Sequence, residues 1–151
     1  MHGRGRWMAV ALLAVGLGLA GCSTDPSSAG TGGRKPVSAK VEVISGKDVK
    51  RVTLTEQAAQ RLGIQTVTVA AAPAGQPPTA TVVPYNAVLY APDGGTWVYT
   101  VPQPLTYIRE KVVIASVGRT DAVLAEGPPV GTTVVLTGLI ELYGAELGVG
   151  K

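Results

Sequence analysis

Thr81-Val82-Val83-Pro84-Tyr85-Asn86-Ala87-Val88-Leu89-Tyr90, then Ala91-Pro92-Asp93-Gly94-Gly95, then Thr96-Trp97-Val98-Tyr99-Thr100-Val101, is the stretch on which the fold turns. Two β-prone runs flank a loop punctuated by Pro-Asp-Gly-Gly, which predicts an antiparallel hairpin. Side chains alternate along a strand, so Trp97, Tyr99 and Val101 share one face of the second arm. Downstream, residues 105–115 read as one long strand with Ile108, Val112 and Ile114 toward the core. Strands at 121–124 and 133–136 flank Gly127-Pro128-Pro129-Val130-Gly131, and residues 139–151 are broken up by glycine and receive no element.

Upstream, strands are expected at residues 37–44 and 49–54 around the turn Ser45-Gly46-Lys47-Asp48, and again at 64–69. Residues 55–63 form the one helix expected in the mature chain: Thr55 caps it, Glu56 favours its positive end and Gly63 stops it. Residues 70–80, rich in Ala, Pro and Gly, have no periodicity. Short strands with frequent turn signals predict a mainly β domain, a small antiparallel β-barrel or β-roll with one short helix.

The composition fits that reading. The chain has 151 residues, 46% hydrophobic and 15% charged, with 20 Gly and 11 Pro. These values exclude collagen, coiled coil, a charged disordered chain and a multi-domain enzyme. No Phe is present, so the core relies on Val, Ile, Leu, Tyr and Trp.

The N-terminus reads as an address. Arg4 and Arg6 precede an apolar run over residues 7–19, too short for the ~20 residues that span a bilayer. Leu19-Ala20-Gly21-Cys22 closes it and resembles the bacterial lipobox. That resemblance implies cleavage between Gly21 and Cys22, thioether lipidation of the Cys22 sulfur and acylation of the new amine. Cys22 is the only cysteine, so a disulfide within the chain has no second partner. Residues 1–21 are then a signal peptide and residues 22–36 a flexible tether, about 20 Å end to end as a coil. Residues 37–151 form the β-domain. Gly16-Leu17-Gly18-Leu19-Ala20-Gly21 fits a dinucleotide-loop pattern but lies inside the signal, not between a strand and a helix.

The mature inventory restricts the chemistry. His2, Met1 and Met8 all precede the cleavage site, and lipid occupies the one thiol. Imidazole nucleophile systems and soft-metal sites therefore have no residues to build on, and no metal or cofactor is expected. Asp93, Asp121, Glu126, Glu141 and Glu146 show no spacing that suggests a carboxylate pair, so no catalytic residue is assigned. Once Arg4 and Arg6 are removed the charges nearly balance, and no basic stripe interleaved with aromatics supports nucleic-acid binding. Tyr85, Trp97 and Tyr99 are the candidates for a partner interface, where Tyr and Trp are enriched.

Two blocks resemble the periplasmic adaptor (membrane fusion protein) family of RND-type tripartite efflux systems. Val52-Thr53-Leu54-Thr55-Glu56-Gln57-Ala58-Ala59-Gln60-Arg61-Leu62-Gly63-Ile64-Gln65-Thr66 is similar to the opening stretch of many adaptors. Val83-Pro84-Tyr85-Asn86-Ala87-Val88, then Asp93-Gly94-Gly95-Thr96-Trp97-Val98-Tyr99, continuing through Val112 and Gly127-Pro128-Pro129-Val130-Gly131-Thr132-Thr133-Val134-Val135, is similar to the membrane-proximal domain. In that family a lipoyl-like domain, a helical hairpin and a β-barrel separate the blocks; here residues 70–80 stand in their place. The resemblance implies a closed domain built from both blocks, with residues 64–69 and 81–90 near each other in one sheet. It does not carry over the bridge to an outer-membrane channel, nor the methionine ligands of copper and silver adaptors.

The expected function is a non-enzymatic, lipid-anchored module at the outer face of the cytoplasmic membrane or in the periplasm. Its expected partners are the membrane and an RND-type transporter or full-length adaptor. The alternative is a stand-alone envelope lipoprotein that binds a small ligand or cell-wall polymer.

Overall fold

The computed structural model describes residues 38–149; the lipobox, the signal and the tether lie outside the described residues. The hairpin that decided the fold forms at its tip only: of the expected first arm over residues 81–90, Thr81–Pro84 lies in a different sheet and Tyr85–Ala87 is a 3-10 turn. Leu89–Tyr90 (β6) pairs antiparallel with Thr96–Gln103 (β7), Leu89 opposite Trp97 and Tyr90 opposite Thr96. The loop closes because Asp93 Oδ1 accepts the Gly95 N–H at 2.9 Å and Gly94 takes a positive φ of 81°.

Around that hairpin lie Ala39–Val43 (β1), Lys50–Leu54 (β2), Glu56–Arg61 (α1), Gln65–Thr68 (β3), Ala70–Ala71 (β4) and Thr81–Pro84 (β5). Thr106–Lys111 (β8), Val113–Val117 (β9), Asp121–Glu126 (β10), Thr133–Thr137 (β11) and Leu139–Leu147 (α2) follow. One sheet has the order β1-β2-β8-β7-β11-β3 with β6 on β7, and a second has the order β4-β5-β10-β9.

Two strands pass from one sheet to the other through a single buried valine. Val69 joins β3 to β4, its N–H bonded to Thr132 O at 2.8 Å, and Val112 joins β8 to β9, its N–H bonded to Thr96 O at 3.0 Å. The expected single strand at 105–115 is thus broken at Val112. The sheets share these crossovers but remain separate ladders with free edges, so they do not close into a barrel. The crossover at Val69 divides the expectation that residues 64–69 and 81–90 share one sheet. Residues 65–68 lie in the first sheet beside β11, as do residues 89–90 on β7, whereas residues 81–84 lie in the second, where Ala70 and Ala71 beyond the bend reach Val82 and Thr81.

β7 and β11 are covered on both faces. Tyr99 and Val135 enter a core with Val52, Leu54, Ala58, Leu89, Tyr107, Leu139 and Leu142, beneath the helices. Their neighbours Val98 and Val134 enter a second core with Val69, Val83, Val112, Ala122 and Leu124, against the other sheet. Each such buried aliphatic or aromatic side chain contributes about 1.5–3 kcal/mol. Ile108 is not among them: the alternation of β8 turns Tyr107 and Arg109 inward, and Ile108 lines an outer groove with Arg51, Thr53 and Gln103.

α1 has the cap read from sequence, with Thr55 Oγ1 accepting the Ala58 N–H at 3.2 Å. The second helix, α2, corrects the expectation of one helix. Its stripe Leu139, Leu142, Glu146 has helical spacing, but a carboxylate occupies the third core position and Gly144 sits mid-helix, so the apolar period is hidden. Gly138 and Gly148 bound it in left-handed conformations, φ 93° and 80°.

These glycines give a paired prediction. A Cβ at Gly138 would strain the backbone and collide with the Ile64 side chain. Gly138→Ala is expected to cost about 2–4 kcal/mol. A Cβ at Gly144 meets nothing within 4 Å, so Gly144→Ala is expected to stabilise by about 0.5–1 kcal/mol. Urea denaturation of both variants checks the signs.

Candidate functional site

The most concentrated polar chemistry in the described residues lies where α2 meets β7 and β8. Strand register sets Tyr99 opposite Arg109, and the α2 stripe brings Glu146 onto both. The Tyr99 hydroxyl donates to Glu146 Oε2 at 2.6 Å, and Arg109 Nη2 donates to Oε1 at 3.1 Å. The Lys50 backbone N–H donates to the same Oε1 at 3.2 Å, and Lys50 Nζ donates to the Glu146 carbonyl at 3.1 Å. The Arg109 guanidinium carbon lies 4.3 Å from the Trp97 ring centre and 5.1 Å from that of Tyr143. Cation–π contacts of this desolvated kind contribute about 2 kcal/mol.

The side chains of Arg109 and Glu146 are 9% and 2% exposed. Both Glu146 oxygens are engaged by groups of the domain itself, so this carboxylate acts as a clamp that fastens α2 to the sheet. Arg109, Tyr143 and Lys50 had no sequence signal for such a role. Glu146 had one: its i+7 spacing from Leu139 on a stripe otherwise apolar.

The interface candidates separate. Tyr99 is fully buried in the core and offers no surface to a partner. Trp97 is half-buried, held between Arg109 and the hairpin loop; a Cβ at Gly95 would approach its Nε1 at 2.6 Å. Tyr85 is 41% exposed and pairs with Tyr90, 50% exposed, at a ring-centre distance of 6.0 Å and 45° between planes. Tyr85 and Tyr90 thus form an exposed aromatic pair beside the hairpin, and Tyr90 belongs with the interface candidates. Partial burial raises the Tyr90 phenol above its ordinary range, and the neighbouring Tyr85 phenol adds to the shift. Cys22 and Gly21 lie outside the described residues.

The remaining acids are surface groups. Asp93 caps its loop, Asp121 accepts from Thr120 Oγ1 at 2.8 Å, and Glu126 and Glu141 are exposed. Among the described residues no three His, Cys, Asp or Glu side chains gather in a metal-ligating group.

Burial raises the Tyr99 phenol strongly, and the adjacent Glu146 carboxylate adds to the shift; burial alone raises Tyr107. A phenol whose folded value lies above its unfolded value near 10 supplies stability that is complete below about pH 10 and is lost as pH rises further. Alkaline titration should therefore show the Tyr99 and Tyr107 phenolates appearing together with loss of the sheet signal in circular dichroism. Phenolate formation at Tyr99, identified with Tyr99→Phe, in a domain whose sheets persist would contradict the clamp.

No family model matches this chain, and neither a curated protein nor a solved structure matches it.

Proposed function

We propose that the protein is a lipid-anchored, extracytoplasmic interaction module. Its β-domain docks onto a membrane transport complex, as the membrane-proximal part of an efflux periplasmic adaptor does. On this reading the two sheets correspond to the β-roll of that domain, Cys22 carries the lipid, and the partner is an RND-type transporter or a full-length adaptor.

One observation supports it above the others: the two adaptor-like sequence blocks interleave. β2 and β3, from the first block, flank β8-β7-β11, from the second, so the larger sheet needs strands of both blocks. A domain assembled from both ends of a longer ancestor has this organisation, and residues 70–80 are short enough to close the gap between the blocks.

A photo-crosslinker at Tyr85, introduced in cells, tests the reading. Recovery of an integral transporter or a full-length adaptor is the expected result. Recovery of neither, with saccharide polymer attached instead, would replace it with the envelope-binding alternative.

A further inference from the structure

Among the described residues β9 is the outermost strand of the second sheet, paired with β10 on one side and with no strand on the other. An unpaired edge is a template for another strand, and proteins usually blunt it with charge, proline or short length. The other edges here are blunted. β1 carries Lys40 and Glu42, paired at 2.9 Å; β4 is two residues long and is followed by Pro73; β3 is largely Gln and Thr. β9, Val113-Ile114-Ala115-Ser116-Val117, has neither charge nor proline. Two register irregularities against β10 are the one blunting feature it carries.

Ile114 packs inward, and beyond the register shift Val117 lies opposite the buried Ala122; Val113 is nevertheless 44% and Val117 53% exposed, and Ala115 and Ser116 are exposed. Flanking the strand are Lys111, the last residue of β8 before the Val112 crossover, and Arg119, in the turn to β10; both are exposed and neither forms an ion pair with a described residue. A cleft of about 540 Å³, lined by residues 93–97 and 111–114 and by no residue of β10, opens beside the start of β9. Asp93 is one of its lining residues, one carboxylate oxygen already used by Gly95 N–H.

We propose that the free edge of β9 is a strand-addition site for an extended, apolar segment of a partner protein that carries an acidic side chain at each end. The occupant follows from the charges. A second copy in the fully overlapped antiparallel register sets Ala115 against itself and brings the Lys111 end of each copy toward the Arg119 end of the other, cation toward cation, which is repulsive. A lipid surface can meet the valines and cations but cannot bond the free backbone groups of the edge. An acid-ended strand satisfies the backbone, the apolar stripe and both cations together. The site does not depend on the lipid anchor or on the partner being a transporter.

The test uses the protein purified from membranes in detergent and a synthetic peptide of alternating valine and threonine with glutamate at both ends. The expected result is binding that weakens with salt and protects the β9 amides left free by β10 from hydrogen exchange. The same peptide with lysine ends is expected to bind about tenfold more weakly. Lys111→Glu with Arg119→Glu reverses that preference, and Ala115→Lys, at an exposed position that the fold tolerates, abolishes binding. Equal binding of both peptides, binding of neither, dimerisation through β9, or binding only to vesicles of anionic phospholipid would each overturn the proposal. None of these results bears on processing at Cys22.

Discussion

Glu146→Ala is expected to remove about 3–5 kcal/mol of unfolding free energy, a large share of the roughly 5–15 kcal/mol typical of a domain. The substitution leaves the Arg109 guanidinium buried between Trp97 and Tyr143 without its anion, and leaves the Tyr99 hydroxyl without an acceptor. The loss comes chiefly from the stranded charge, because the intact pair itself gains little over the cost of drying both ions. Arg109→Met combined with Glu146→Leu is therefore expected to recover most of the stability, although it removes the same ion pair. Urea denaturation of the single and double variants measures this directly. A Glu146→Ala loss below about 1 kcal/mol would mean that the cluster is wetter than its burial indicates.

Cys22→Ser carries the second large effect, on location rather than on folding. Cys22 is the only sulfhydryl in the chain, so the variant has nowhere else to receive a thioether-linked lipid. Each buried CH₂ contributes about 0.8 kcal/mol to membrane affinity, so loss of two or more acyl chains turns a stable anchor into none. Fatty-acid label is expected to vanish, and the protein is expected to remain unprocessed or to leave the lipid-anchored membrane fraction. The folded domain should be unchanged, since its described residues contain no cysteine. Equal label on wild type and Cys22→Ser would refute the lipobox reading. Circular dichroism of the two proteins separates that outcome from misfolding.

The parts of the fold governed by local rules were legible in the sequence. The β6–β7 hairpin, the Thr55-capped helix and the strands around Gly127–Gly131 follow from turn glycines, a capping hydroxyl and two-residue alternation. The parts governed by tertiary contact were hidden. A bend at Val112 moves one β-prone run between two sheets without any glycine or proline to announce it, and the phase of β8 that turns Ile108 outward follows from that bend. α2 was hidden for a related reason. The fold puts Glu146 at a core position because Arg109 and Tyr99 wait for it across the sheet, and no local pattern encodes a partner 37 or 47 residues away. The candidate site divides in the same way. Aromatic enrichment pointed to Tyr85, Trp97 and Tyr99 together, but alternation sends Tyr99 fully inside, while the edge of β9 is exposed only because sheet order leaves it last.

Intact-mass and N-terminal sequencing of the protein extracted from cell membranes tests the central claim most directly. The account predicts a chain that begins at Cys22 and carries a diacylglyceryl group on its sulfur. A chain that begins at Met1 with a free thiol at Cys22 would contradict it.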